Sequence, residues 1–133
     1  MASGIYNRFK ANVLNKEIDL EADTIKVALY NNTHVFTATD TVYTTTNEIT
    51  GTGYTAGGAA LASKAVTEAA TTKFDAADTE WTTATITAYH AVIYDDTHAT
   101  NDLIANIDFG GAQTSTAGTF KVQWHADGIL TLA

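Results

Sequence analysis

The chain has 133 residues, no Cys and no Pro, and 7 Lys+Arg against 15 Asp+Glu, for a formal net charge of −8. That length fits one domain with a core large enough to stand without staples. The acidity excludes a phosphate-backbone or anionic-membrane binder, and the lack of Cys excludes disulfides.

Charged residues are 17% of the chain, below the quarter or so usual for soluble proteins. Threonine fills the gap at about one position in five. Its β-branched side chain suits a half-buried pleated surface and disfavours helix interiors. A weakly charged surface also has fewer ions to desolvate when it meets another protein. Together these features predict an all-β chain: a single β-sandwich or jelly-roll-like domain over 23–133, with a short N-terminal helix or arm over 1–16. Arg8 and Lys10 interrupt the N-terminus with no apolar run behind them, so no secretory signal is expected. Met1-Ala2 lacks the Gly that myristoylation requires, and no apolar run is long enough to cross a membrane.

Ser3 stands where a helix N-cap would. After it, Ile5, Tyr6, Phe9, Val13 and Leu14 recur at helical spacing, which predicts a helix over roughly Gly4 to Asn15. Its apolar stripe either plugs the open end of the β core or docks on a neighbouring subunit. In the second case those five residues form the partner-docking face. Ile25, Val27 and Leu29 then alternate with Lys26, Ala28 and Tyr30 as a half-buried strand, and Asn31-Asn32 turns the chain. Val35-Phe36 and Val42-Tyr43 are weaker strand signals. Residues 47–58 read as an irregular loop with Gly51, Gly53, Gly57 and Gly58 at positive-φ positions and Tyr54 as anchor. Leu61 to Val66 pairs next. The Ala-rich run 65–70 is too short and too rich in Thr around it for a helix.

Ala84 to Tyr94 is the best central strand. Strict alternation puts Ile86, Ala88, His90, Val92 and Tyr94 on one face and Thr85, Thr87, Tyr89, Ala91 and Ile93 on the other, both bulky enough to be covered. Leu103 to Phe109 follows and Gly110-Gly111 ends it. Phe120, Val122 and Trp124 mark another strand, and Asp127-Gly128 turns it back into Ile129 to Leu132. No internal repeat or linker interrupts this series.

Chemistry-bearing patterns are weak. The segment 51–58 is Gly-rich like a phosphate loop but lacks the Gly-Lys-Ser/Thr ending. His34, His90, His98 and His125 show no ligand spacing. Asp95-Asp96-Thr97-His98 with Asp102 offers clustered oxygens for calcium, yet the spacing is not that of an EF-hand, and a turn held by Asx hydrogen bonds is the preferred reading. Asp75, Asp78 and Glu80 beside Trp81 resemble a glycosidase pair or a sugar platform only generically. Ser3, Ser63 and Ser115 lack a nucleophile setting. Asn31-Asn32-Thr33 marks a turn. No enzyme activity, metal or cofactor is expected.

Several segments together resemble small virion proteins of tailed bacteriophages. They are the opening 1–29 with Phe9-Lys10-Ala11-Asn12 and Ala22-Asp23-Thr24-Ile25-Lys26-Val27-Ala28-Leu29, the loop from Glu48-Ile49-Thr50 to Gly58, the strand Ala91-Val92-Ile93-Tyr94-Asp95-Asp96, and the close from Gly118-Thr119-Phe120 to Leu132. The resemblance spans most of the chain and consists of turns and strands, so it points to the group rather than to a role within it. It implies a non-enzymatic structural protein made in the host cytoplasm. The preferred role is a capsid decoration (cement) protein on the outer head surface, contacting the major capsid protein and itself as a homo-oligomer. A tail or neck protein, or a glycan-binding surface module carrying Trp81, Tyr54 and the 95–102 loop, is the alternative. Nucleic acid and membrane are not expected partners.

Overall fold

Two long stretches of alternating apolar and Thr-rich sequence pair with each other and organise everything else. The computed structural model describes residues 3–133, so Met1 and Ala2 of the expected arm lie outside the described residues. In chain order the elements are β1 (Gly4–Ile5), α1 (Asn7–Leu14), β2 (Ile25–Tyr30), β3 (Ala59–Ala60), β4 (Ala65–Thr67), β5 (Thr72–Asp75), β6 (Thr79–Asp95), β7 (Asp102–Val122) and β8 (Leu130–Leu132). They form a five-stranded sheet, ordered β1-β7-β6-β2-β3, and a three-stranded sheet, ordered β4-β5-β8. All pairings are antiparallel, and the two sheets pack together as a mostly-β, sandwich-like domain with one short helix.

The β6–β7 hairpin is longer than alternation alone predicts. Gly110-Gly111 does not end β7, which runs on to Val122. Both glycines sit among register shifts, where β6 advances from Ala88 to His90 while its partner moves from Gln113 to Asp108. Such irregularity bends a strand and re-aims its side chains. The predicted face of β6 is accordingly split. Ile86 and Ala88 join Ala91 and Ile93 in the larger core cluster, while Val92 and Tyr94 belong to a second cluster on the opposite face. A slip of one residue moves every later side chain across the sheet.

The larger cluster is aliphatic and aromatic. Ile25, Val27 and Leu29 of β2, Ile93 of β6 and Ile104 of β7 are fully buried, and Phe74 of β5 ties the small sheet to the large one. The smaller cluster is built on Tyr6, Tyr30 and Tyr94, with Phe36 and Tyr43 against it. Two of its hydroxyls find acceptors: Tyr30 Oη donates to Thr44 O at 2.6 Å and Tyr94 Oη to Gly57 O at 2.6 Å. The loop that Tyr54 was expected to anchor is held by Glu48, whose carboxylate accepts from Tyr43 Oη, from Tyr54 Oη at 2.5 Å and from Gly57 N at 2.7 Å. Gly58 there has φ +77°, and a Cβ would stand 1.8 Å from Val27 O, so only glycine fits against β2. Gly51 is not in the left-handed region, contrary to expectation; it is needed because a Cβ would stand 2.6 Å from Thr85 O.

Three further expectations change. The helix is shorter than predicted, because Gly4 and Ile5 pair with Asn106 and Ala105 of β7. Its N-cap is Tyr6, whose N–H donates to Ile104 O, and Ser3 Oγ accepts from Asp108 N instead of capping. Val35-Phe36 forms no strand, and Val42 makes only an isolated bridge to Asp102. Asp127-Gly128 turns the chain, but β8 crosses to the other sheet and pairs with β5 rather than returning along β7.

Candidate functional site

An isolated helix of eight residues is marginal in water, so α1 must be held by what it packs on. Phe9 inserts into the larger cluster, and Asn12 Nδ2 donates to Asp102 Oδ2 at 2.8 Å. Arg8 Nη1 lies 3.6 Å from the same carboxylate oxygen. Pinned in this way, α1 presents its remaining apolar residues beside the small sheet. A cavity of about 440 Å³ with almost wholly apolar walls opens between α1 and strands β5 and β8.

The five residues of the predicted docking stripe divide in two. Tyr6 and Phe9 are buried within the chain's own core, Tyr6 edge-on to Phe36 with ring centroids 4.9 Å apart. Ile5 is half-buried and lines the groove together with Phe9, Val13 and Leu14. Val13 is 39% exposed and Leu14 is 88% exposed. The stripe therefore has one end buried in the core and the other exposed. Leu20, Val66, Phe74, Leu130 and Leu132 complete the groove. Sequence reasoning missed these as a surface. The period-two spacing of Leu130 and Leu132 was visible, but not that β8 would lie beside β5. Among the described residues, the charged ones lining the groove are Lys10 and Lys73, in a chain whose overall charge is −8.

The groups considered for catalysis are occupied structurally. Asp78 Oδ1 accepts from Trp124 N at 3.0 Å, and its other oxygen lies 3.5 Å from Lys121 Nζ, which also reaches Glu80 at 4.0 Å. Asp75 accepts from the neighbouring Ala76 N. Trp81 is buried, its ring tilted toward Tyr54 and edge-on to Phe120, so it offers no exposed platform for a sugar. Ser115 Oγ donates to Ala84 O across the hairpin.

Two histidines far apart in sequence meet in space. His34 and His90 stack edge to face with ring centroids 4.8 Å apart, and His34 Nε2 lies 3.0 Å from Asn106 Oδ1. His90 is fully buried, and neither of its ring nitrogens has a hydrogen-bond partner. Burial pushes both imidazoles below their ordinary pKa, and for His90 the neighbouring His34 adds to the effect.

The 95–102 turn is organised by its carboxylates, as its Asx pattern predicts. Asp95 Oδ1 accepts from Thr97 N at 2.9 Å, and Thr100 Oγ1 donates to Asp102 Oδ1 at 2.5 Å. The turn also gathers a residue from elsewhere. Ile25 pairs with Asp95, so the chain entering β2 runs alongside, with Asp96 N donating to Thr24 O and Thr24 N to Thr97 Oγ1. That places the Asp23 carboxylate within 4.8 Å of ligand atoms of both Asp95 and His98. Burial, and contact with Asp23, push the Asp95 carboxyl up to about 7. Asp23, in contact with Asp95 and far more open to solvent, shifts down. Burial alone would raise Asp102, but bonds from Thr100 and Asn12 and the charges of Arg8 and His98 hold it below the usual carboxylate range. The His98 pKa is raised by its hydrogen bond to the Glu17 carbonyl and by the surrounding acids.

No protein-family model, no curated protein and no solved structure matches the chain.

Proposed function

We propose that this chain is a non-enzymatic structural protein of a tailed-bacteriophage virion, and that it decorates the outside of the capsid by docking on the major capsid protein. The observation that carries the docking part is the apolar groove between α1, β5 and β8. Leu14 and Leu132, at 88% and 66% exposed, stand largely open at its rim. Covering such a surface removes apolar area from water at roughly 25 cal/mol per Å². The groove suits an apolar segment of the capsid protein flanked by carboxylates, because Lys10 and Lys73 are its charged neighbours. The virion assignment itself is supported by the sequence resemblance. Net acidity fits a protein that must stay dispersed before assembly and away from packaged DNA.

The test is the protein's location in purified particles. Heads and tails separated on a gradient are compared by gel densitometry and by cryo-electron microscopy of the heads. The decoration reading expects many copies on the outer head surface, with the α1–β8 face against the shell. Presence on tails or neck alone would replace it with a tail or neck role, and absence from particles would reject the virion assignment.

A further inference from the structure

The geometry points to a divalent-cation site formed by Asp23, Asp95 and His98, taking a first-row ion such as Zn²⁺ or Mn²⁺ in preference to Ca²⁺. The inference is independent of the virion reading.

Asp95 is the deciding residue. Its side chain has no solvent exposure, and while Oδ1 is bonded to Thr97 N, Oδ2 accepts no hydrogen bond. A buried carboxylate oxygen without a partner is costly. Oδ2 faces His98 Nε2 at 3.9 Å, with the Asp23 carboxylate within 4.8 Å. Two carboxylates have no hydrogen to share unless one is protonated. A cation held between the three groups would satisfy Oδ2.

The surroundings favour a metal ion. His98 Nδ1 lies 3.7 Å from Asp102 Oδ2, so a carboxylate stands behind the imidazole on the side away from Asp95. If the ring moves close enough to donate Nδ1–H to it, this carboxylate would fix the tautomer of a metal-bound histidine and raise its basicity. Asp102 is itself held by Asn12, Thr100 and Arg8. Nε2 now contacts the Glu17 carbonyl, so binding a cation at Nε2 requires that contact to give way. One imidazole nitrogen with two carboxylate oxygens suits the zinc and manganese class, whereas calcium prefers oxygen ligands throughout. The nearby cations are engaged elsewhere: Lys26 pairs with Asp96 at 3.3 Å, and Lys64 Nζ bonds the backbone oxygen of Asp23. Bound there, the ion staples the segment after α1 to the β6–β7 turn.

The test is calorimetric titration of the full chain with ZnCl₂, MnCl₂ and CaCl₂, with melting curves alongside. The expected result is one saturable equivalent of Zn²⁺ or Mn²⁺ at neutral pH, a cation-dependent rise in Tm, and weaker binding in mild acid, where protons compete. Asp95→Asn keeps the bond from Thr97, removes the buried charge, and should melt higher than the wild type without metal while losing the cation-dependent rise. Asp102→Asn should bind about 10–100-fold more weakly. His125→Ala, at the exposed His125–Asp127 pair, should change nothing. Absence of saturable binding would overturn the site. So would undiminished binding by Asp95→Asn, or loss of binding in His125→Ala. Tighter binding of Ca²⁺ than of Zn²⁺ would overturn the assigned class.

Discussion

The two faces of the β2–β6–β7 layer are held together by different physics. On one face, Ile25, Val27, Leu29, Ile93 and Ile104 meet Phe74 from the small sheet, all side chains without polar atoms. On the other, Tyr6, Tyr30 and Tyr94 carry hydroxyls into a half-dry layer where they need acceptors. The first face depends on volume and tolerates no cavity. The second depends on satisfied polar atoms, so changes too small to leave a void still cost stability. Thr44 and Gly57 of the 43–58 loop reach the tyrosine face, where their carbonyls accept from Tyr30 and Tyr94.

Three substitutions separate the two kinds of support. Phe74→Ala has the largest expected effect, a loss of about 3–5 kcal/mol in denaturant unfolding, because Phe74 is the buried link between the sheets. A loss below about 1 kcal/mol would mean that the small sheet is not packed on the large one as described. Tyr94→Phe removes one hydroxyl and leaves Gly57 O without its donor. It should cost about 1–3 kcal/mol with no change in the volume of the core. Unchanged stability would show that the loop does not rely on that bond.

The third tests pH. His90 and His34 have folded-state pKa values below the ordinary imidazole value, so the unfolded chain binds more protons near and below pH 6.5. Their contribution is complete above that pH and is lost as pH falls through the window between the unfolded and folded values. Asp95 works in the opposite sense. Its carboxyl is raised from 3.8 to about 7, so its contribution is present below the unfolded value and is lost as pH rises toward 7. His90→Leu should therefore flatten the acid side of the stability profile, while the stabilisation from Asp95→Asn should grow between about pH 4 and 7. Melting temperatures across that range decide it. A His90→Leu profile parallel to the wild type would show that the buried imidazole does not titrate with unfolding.

Much of the architecture was legible in the residues, and the failures have physical causes. Period-two alternation located β2, the core of β6 and the start of β7, since each has one face against an aliphatic core. It failed at Ala88–His90, where an irregularity invisible to alternation exchanges the faces. It failed again at Gly110-Gly111, because glycine that breaks an isolated strand is accommodated where the partner strand bends with it. The helix began late because β7 offered Gly4 and Ile5 a pairing edge, a long-range fact absent from local sequence. At the groove, the α1 half was readable as a stripe, whereas the β5–β8 half depends on a strand changing sheets. The joining of Asp23 to Asp95 and His98 likewise depends on the register of β2 against β6.

The central claim is that the rim of the α1–β5–β8 groove serves a partner and not the fold. Replacing Val13, Leu14 and Leu132 together by Ser, then measuring both Tm and binding to heads stripped of this protein, tests it most directly. All three side chains are substantially exposed, so each substitution should cost no more than about 0.5 kcal/mol and Tm should barely move, while binding to heads is lost. Full binding by the triple variant would contradict the account.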